Sequence, residues 1–301
     1  MRIALAIPLI LATLLPSCSP AAEVSWAKDA NKSDRLYLEV TGEIRPGDAA
    51  KLRREAQRAR WNFIFATGLI IDSPGGSVSE ALEIAKFVES AGLTVHVADG
   101  GQCASSCFFV YVSAPDRGTY SGSVVVHRPY FDMSSAEGQQ GPSYEKAYRD
   151  TFTRTRQYLA DRLVPNNVID AMMSKGSFEG YKLTRRDLDS IGPWSPALRE
   201  YMYQTCGLPT DRVVTQQEIQ AVQACELEYL RKTRFKYLFG AEHEVAVSQW
   251  KKLDGLLSDL SQNASKPEAF TRAFSAATRT VNKDPPTEWL KVVRNAVSGQ
   301  L

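Results

Sequence analysis

Apolar and polar positions along this chain fall into two alternating kinds of block. Short apolar runs bounded by turn residues occur at 36–40 (Leu-Tyr-Leu-Glu-Val), 68–72 (Gly-Leu-Ile-Ile-Asp), 93–98 and 123–127, and they read as strands. Between them, apolar residues return at helical spacing. Leu52, Ala56 and Ala59 share one face over 49–60, with Lys51, Arg53, Arg54, Arg58 and Arg60 on the wet side. Val78, Ala81, Leu82, Ala85, Phe87 and Val88 form a second such face that ends at Gly92. This helix opens on Ser77-Val78-Ser79-Glu80, which has the form of a capping box. Residues 104–113, small and aromatic, predict another helix directly after the Gly100-Gly101 turn. Strand and helix alternating in this way argue for an α/β fold with a mainly parallel sheet.

Both ends of the chain have a different texture. Met1-Arg2 is a short positive start, 3–15 is almost entirely apolar, and small residues follow to Ala22. Residues 1–22 therefore read as a secretory signal rather than a membrane span. Two cleavage routes stay open: ordinary processing within 19–22, or a lipobox at 15–18 that would lipidate Cys18 and add a membrane anchor. The expected product is exported and periplasmic, soluble or lipid-anchored. Residues 23–34 read as a polar linker, 35–196 as the α/β domain, and 197–301 as an all-helical C-terminal appendage. In this last part amphipathic stretches recur at 215–237, 242–260, 269–281 and 286–297, and Trp250, Phe270, Phe274 and Trp289 read as core.

Composition narrows the function classes. With 301 residues and 44% hydrophobic content the chain can bury a sizeable core. A formal net charge of only +2, with basic and acidic residues interspersed, gives no footprint for nucleic acid. Apart from Cys18 there are four cysteines, an even set suited to an oxidising compartment. Cys103–Cys107 with Cys206–Cys225 is the simplest of the three pairings. Their spacing is no zinc signature, and no metal or cofactor is expected.

Two turns carry candidate chemistry. Ser73-Pro74-Gly75-Gly76 follows a strand and precedes a helix, and its glycines let a substrate carbonyl approach main-chain N–H groups. Gly101-Gln102-Cys103-Ala104-Ser105-Ser106-Cys107 puts serines in the expected first turn of a helix, beside unpaired N–H groups and the positive end of the dipole. Taken alone, Ser105 or Ser106 reads better as a helix cap.

Together these segments resemble the proteolytic subunit of the Clp protease and its relatives in the ClpP/crotonase superfamily. The family's Ser-Pro-Gly-Gly is matched at 73–76, its Gly-Gln-x-Ala-Ser at 101–105, and its His-x-Pro at His127-Arg128-Pro129. Leu183-Thr184, Asp187-Leu188 and Ile191-Gly192 resemble the closing segment. The resemblance covers roughly residues 36–192. It implies a repeated β-β-α spiral, a Ser105 nucleophile, a His127 general base, and an oxyanion hole formed by N–H groups around Gly75-Gly76 and at Ser106. It also implies a peptide or protein substrate and leaves a homo-oligomer open.

The sequence departs from the pattern at the third member of the triad. The family's acid precedes its Leu-Ser/Thr pair; here Glu179 is the nearest carboxylate, with Asp170 as the alternative and a Ser–His dyad as the third option. His96 lies mid-strand and His243 among glutamates, and neither sits at a motif position. Export would remove the ATP supply, so no ATPase partner is expected and the predicted activity is an ATP-independent serine peptidase. Its alternatives are an inactive peptide-binding protein of the same fold and an esterase or other acyl hydrolase. Acyl-CoA chemistry is disfavoured outside the cytoplasm.

Overall fold

The computed structural model describes residues 22–28, 36–65, 68–129, 142–176, 179–212, 214–248 and 251. The signal segment with Cys18, and the amphipathic stretches at 269–281 and 286–297, lie outside the described residues.

The strands are β1 (Glu23–Lys28), β2 (Leu36–Thr41), β3 (Gly68–Asp72), β4 (Val95–Val97), β5 (Gln102–Ala104), β6 (Arg117–Thr119), β7 (Ser123–Val126) and β8 (Tyr181–Lys182). The helices within the α/β part are α1 (Asp48–Arg58), α2 (Arg60–Phe65), α3 (Val78–Ser90), α4 (Cys107–Ser113), α5 (Pro142–Asp161), α6 (Asn166–Ser174) and α7 (Arg185–Ile191). Beyond them come α8 (Pro196–Gln204), α9 (Gln216–Ala221), α10 (Gln223–Phe239) and a 3₁₀ turn at Gly240–Glu242.

A five-stranded sheet runs β1-β2-β3-β4-β6, and a three-stranded sheet runs β5-β7-β8. Every pairing in the larger sheet is parallel except β1 with β2. β5 and β7 are parallel, and β8 returns antiparallel. The chain builds both layers at once. β4 joins the large sheet and β5 the small one before α4; β6 and β7 repeat the division before α5. Parallel bridges Ile44↔Gly76 and Ser73↔Cys103 continue the small layer beneath β2 and β3. This is the expected β-β-α repeat, and the α/β fold with mainly parallel strands and C-terminal helices is as the sequence predicted.

The helices bury the faces their spacing marked. Ala49, Leu52 and Ala56 are buried on α1, and Ala81, Ile84, Ala85, Phe87 and Val88 on α3. The capping box at 77–80 is only half formed. Ser77 Oγ accepts from Glu80 N–H, but Glu80 Oε1 accepts from Ala49 N–H at 2.7 Å, which ties α3 to the start of α1.

Three sequence expectations need correction. The predicted linker at 23–34 is in part strand β1, whose Val24 and Trp26 pack on the core while Ala22 is buried. Its alternation of polar and apolar residues gives a half-buried antiparallel edge. The helix predicted from 104 starts instead at Cys107, after the short strand β5, so Ser105 and Ser106 occupy the turn between them. The C-terminal helices are no mere appendage, because Phe235, Leu238 and Ala246 belong to the same hydrophobic cluster as β2, β3 and α3. A second, smaller cluster gathers Trp194, Leu198, Met202, Leu208 and Leu230. Among the described residues no helix is long and apolar enough to cross a membrane.

Candidate active site

Three neighbouring parallel segments carry the motifs, and all three deliver them at their carboxyl ends. β3 ends at Asp72 and runs into Ser73-Pro74-Gly75-Gly76. β5 ends at Ala104, immediately before Ser105, and β7 ends at Val126, immediately before His127. The β5–β7 register pairs Cys103 with Val124 and Ala104 with Val125, and Ser105 N–H donates to Val125 O at 2.9 Å. Ser73 N–H donates to Gln102 O at 2.7 Å and Ala104 N–H to Ser73 O at 2.9 Å, which joins the glycine turn to β5. The carboxyl edge of a parallel layer is where open α/β sheets place their ligands.

Ser105 has φ 55°, one of two non-glycine residues with positive φ among the described residues. A left-handed backbone costs a residue with a Cβ about 1–2 kcal/mol, so the turn holds Ser105 against its local preference. Its neighbour Ser106 stands at the N-cap of α4 but makes no side-chain cap bond. Ser106 Oγ is buried with no hydrogen-bond partner among the described residues. The competing reading of these serines as helix caps therefore finds no support.

Gly75 lies against the same turn. With φ 95°, a Cβ there would stand 2.6 Å from Ala104 O, 2.7 Å from Ser105 Cβ and 3.0 Å from Ser106 N. Only glycine leaves the approach to the Ser106 N–H open. Gly75 N–H is used by Ser73 Oγ at 3.1 Å, and Gly75 O accepts from Ile44 N–H at 2.8 Å. Gly76, at φ 141°, is exposed, and its N–H meets no acceptor among the described residues. Of the expected oxyanion donors, Gly76 and Ser106 have N–H groups that meet no acceptor among the described residues, while Gly75 contributes space.

Both expected disulfides form. Cys103 and Cys107, on either side of the serine turn, have Cα atoms 5.3 Å apart, and Cys206 and Cys225 have theirs 5.9 Å apart. The first bridge joins the end strand β5 to the first residue of α4 across Ser105, and both of its cysteines are fully buried.

His127 is partly buried, and its Nδ1 lies 2.8 Å from Arg128 O. The expected acid does not meet it. Glu179 is exposed and makes no bond to His127 among the described residues; its backbone N–H donates to Gly176 O. The β7–β8 pairing ends at Val126↔Tyr181, and beyond it Arg128 N–H donates to Lys175 O at 3.3 Å. Asp170 bonds Arg156 at 2.7 Å on the surface. Asp187, deep in the closing segment, accepts from Tyr181 OH and from Thr184 N–H and OH.

The other histidines lie elsewhere. His96 is mid-strand in β4, stacked on Tyr120, with its pKa lowered by burial. His243 Nδ1 contacts Gly240 O at 2.7 Å. Among the described residues no group of His, Cys, Asp and Glu is placed to hold a metal ion.

No protein-family model matches the chain, and no curated protein matches it. Solved structures similar to it include ClpP1 from Listeria monocytogenes, at 15% identity and TM-score 0.39 over 52% of this chain and 86% of that one. A membrane protease specific for a stomatin homolog, from Pyrococcus horikoshii, is 13% identical with TM-score 0.35 over 56% and 76% of the two chains. An enoyl-CoA hydratase described as putative, from Streptomyces coelicolor A3(2), is 15% identical with TM-score 0.33 over 88% and 96%. The likeness to this group is at low identity.

Proposed function

We propose that this protein is an exported serine hydrolase of the peptidase type, working without an ATP-driven partner on flexible peptide or protein substrates. The observation that carries the reading is the delivery of the Gly75-Gly76 turn, Ser105 and His127 from the carboxyl ends of neighbouring parallel segments. The left-handed Ser105 and the uncapped Ser106 support it. The signal-like first 22 residues and the two disulfides motivate the exported setting.

In this mechanism Ser105 Oγ attacks the scissile carbonyl carbon as its proton passes to His127 Nε2. The new oxyanion accepts from the N–H groups of Gly76 and Ser106; losing one such donor costs about 10²–10³ in rate. Collapse of the tetrahedral intermediate breaks the C–N bond, and His127 returns the proton to the leaving amine. Water, deprotonated by His127, then hydrolyses the Ser105 ester.

A fluorophosphonate probe tests this directly. It is expected to label one serine in the wild type and none in Ser105→Ala, with the circular dichroism of the two unchanged. Absence of labelling under every condition would overturn the reading. Peptide affinity surviving both Ser105→Ala and His127→Ala would then identify a non-catalytic peptide binder. Faster turnover of esters with no amide cleavage would make it an acyl hydrolase.

A further inference from the structure

We propose that the main-chain carbonyl of Arg128, fixed in direction by Pro129, does for His127 what a carboxylate does in a full triad. The proposal rests on the reading of Ser105 and His127 as a catalytic pair. A carbonyl oxygen has no proton to give, so the 2.8 Å contact requires His127 Nδ1 to carry the hydrogen and donate it. In the neutral ring Nε2 is then left with its lone pair, which is the tautomer a general base needs.

The backbone around this carbonyl is held from both sides. Arg128 precedes a proline, and the clash with the pyrrolidine ring confines a pre-proline residue to extended ψ, which sets where its C=O points. Arg128 N–H donates to Lys175 O at 3.3 Å, and two residues earlier Val126 is paired with Tyr181. The other carboxylates considered for this role are engaged or apart: Asp170 bonds Arg156, Asp187 accepts from Tyr181 and Thr184, and Glu179 is exposed with no bond to His127 among the described residues. This gives the proline of His127-Arg128-Pro129 a physical task, as a positioning residue acting through the preceding carbonyl.

The substitution has a cost and a benefit. In a serine triad, replacing the acid by its amide lowers kcat by about 10⁴, through the wrong tautomer. A carbonyl cannot cause that error, since it only accepts. It lacks a full negative charge, however, and a hydrogen bond to a neutral acceptor is about half as strong as one to an ionised group. The imidazolium formed during attack is therefore less stabilised than in a triad.

Ring ¹⁵N NMR of the histidine-labelled full chain tests the proposal, with His127 assigned by its loss in His127→Gln. Neutral His127 is expected to show a protonated Nδ1 and an unprotonated Nε2, unchanged in Glu179→Gln. That variant should also keep the wild-type rate of fluorophosphonate labelling. Pro129→Ala is expected to mix in the Nε2–H tautomer and slow labelling by about tenfold. A wild-type Nε2–H tautomer would overturn the proposal, as would Glu179→Gln switching the tautomer or abolishing labelling. If Pro129→Ala fails to fold, the wild-type tautomer and the Glu179→Gln result still decide. A wild type that is never labelled overturns the hydrolase reading while leaving the tautomer measurement intact, so the two failures are distinguishable.

Discussion

Ser105 stands where local preference and function conflict. At φ 55° its Cβ is a liability, and glycine would occupy the position without strain. Ser105→Gly is therefore expected to be more stable than Ser105→Ala by about 1 kcal/mol, read from urea unfolding midpoints, with neither variant labelled by fluorophosphonate. Equal stability of the two would show that the turn does not hold a left-handed residue. The identity of Ser105, His127 and the two glycines was legible as motif. The backbone angle was not, and neither was the partner of His127. Sequence spacing pointed to Glu179, whereas in the fold that side chain is exposed and the Arg128 carbonyl lies next to the imidazole.

At the scale of elements, α1 and α3 were readable because each shows enough turns for a helical period to stand out. Most strands that sequence reading missed are short: β5 and β6 have three residues each and β8 two, too few for alternation to register, while the six-residue β1 was read as linker. Helix α10 was readable as a helix and misread as a satellite. Its Arg234 is only 3% exposed and donates to Gly92 O at 3.1 Å and Ile64 O at 3.2 Å. These carbonyls lie just past the end of α3 and in the last turn of α2, where the helix dipoles favour a cation. Arg234→Ala is expected to destabilise the protein by about 3 kcal/mol, since two charge-assisted bonds are lost and their carbonyls stay buried. A change below about 1 kcal/mol in denaturant unfolding would show that the contact contributes little.

For the whole molecule, a carboxyl pair couples the C-terminal helices to the α/β layers. Asp116 bridges to Trp194 just before β6, and Trp194 Nε1–H donates to Glu226 of α10 at 3.2 Å. Burial raises the pKa of both acids, and Asp116 raises that of Glu226 further. Each acid thus binds more protons folded than unfolded above the ordinary carboxylate range. Stability contributed there is present at lower pH and is lost as pH rises toward neutrality. His96, 3.9 Å from Asp116 with a lowered pKa, acts in the opposite sense, since its protonation disfavours the fold as pH falls. Glu226→Gln isolates the acid contribution. Between about pH 5 and about pH 8 the variant should gain stability relative to wild type, measured by urea unfolding. A constant difference across that range would refute the linkage.

The linear chain by itself determined the α/β class, the faces of the main helices, the cysteine pairs and the identity of the motif residues, because periodicity and short covalent spacing are local properties. Tertiary structure alone decided the rest. It brought the three strand ends together, set the Arg128 carbonyl against the His127 ring, turned a linker into β1, and drew Arg234 across sequence separations of 142 and 170 residues into the core. Such pairings depend on which surfaces meet after the chain has wound into two layers, and no window of neighbouring residues encodes that meeting.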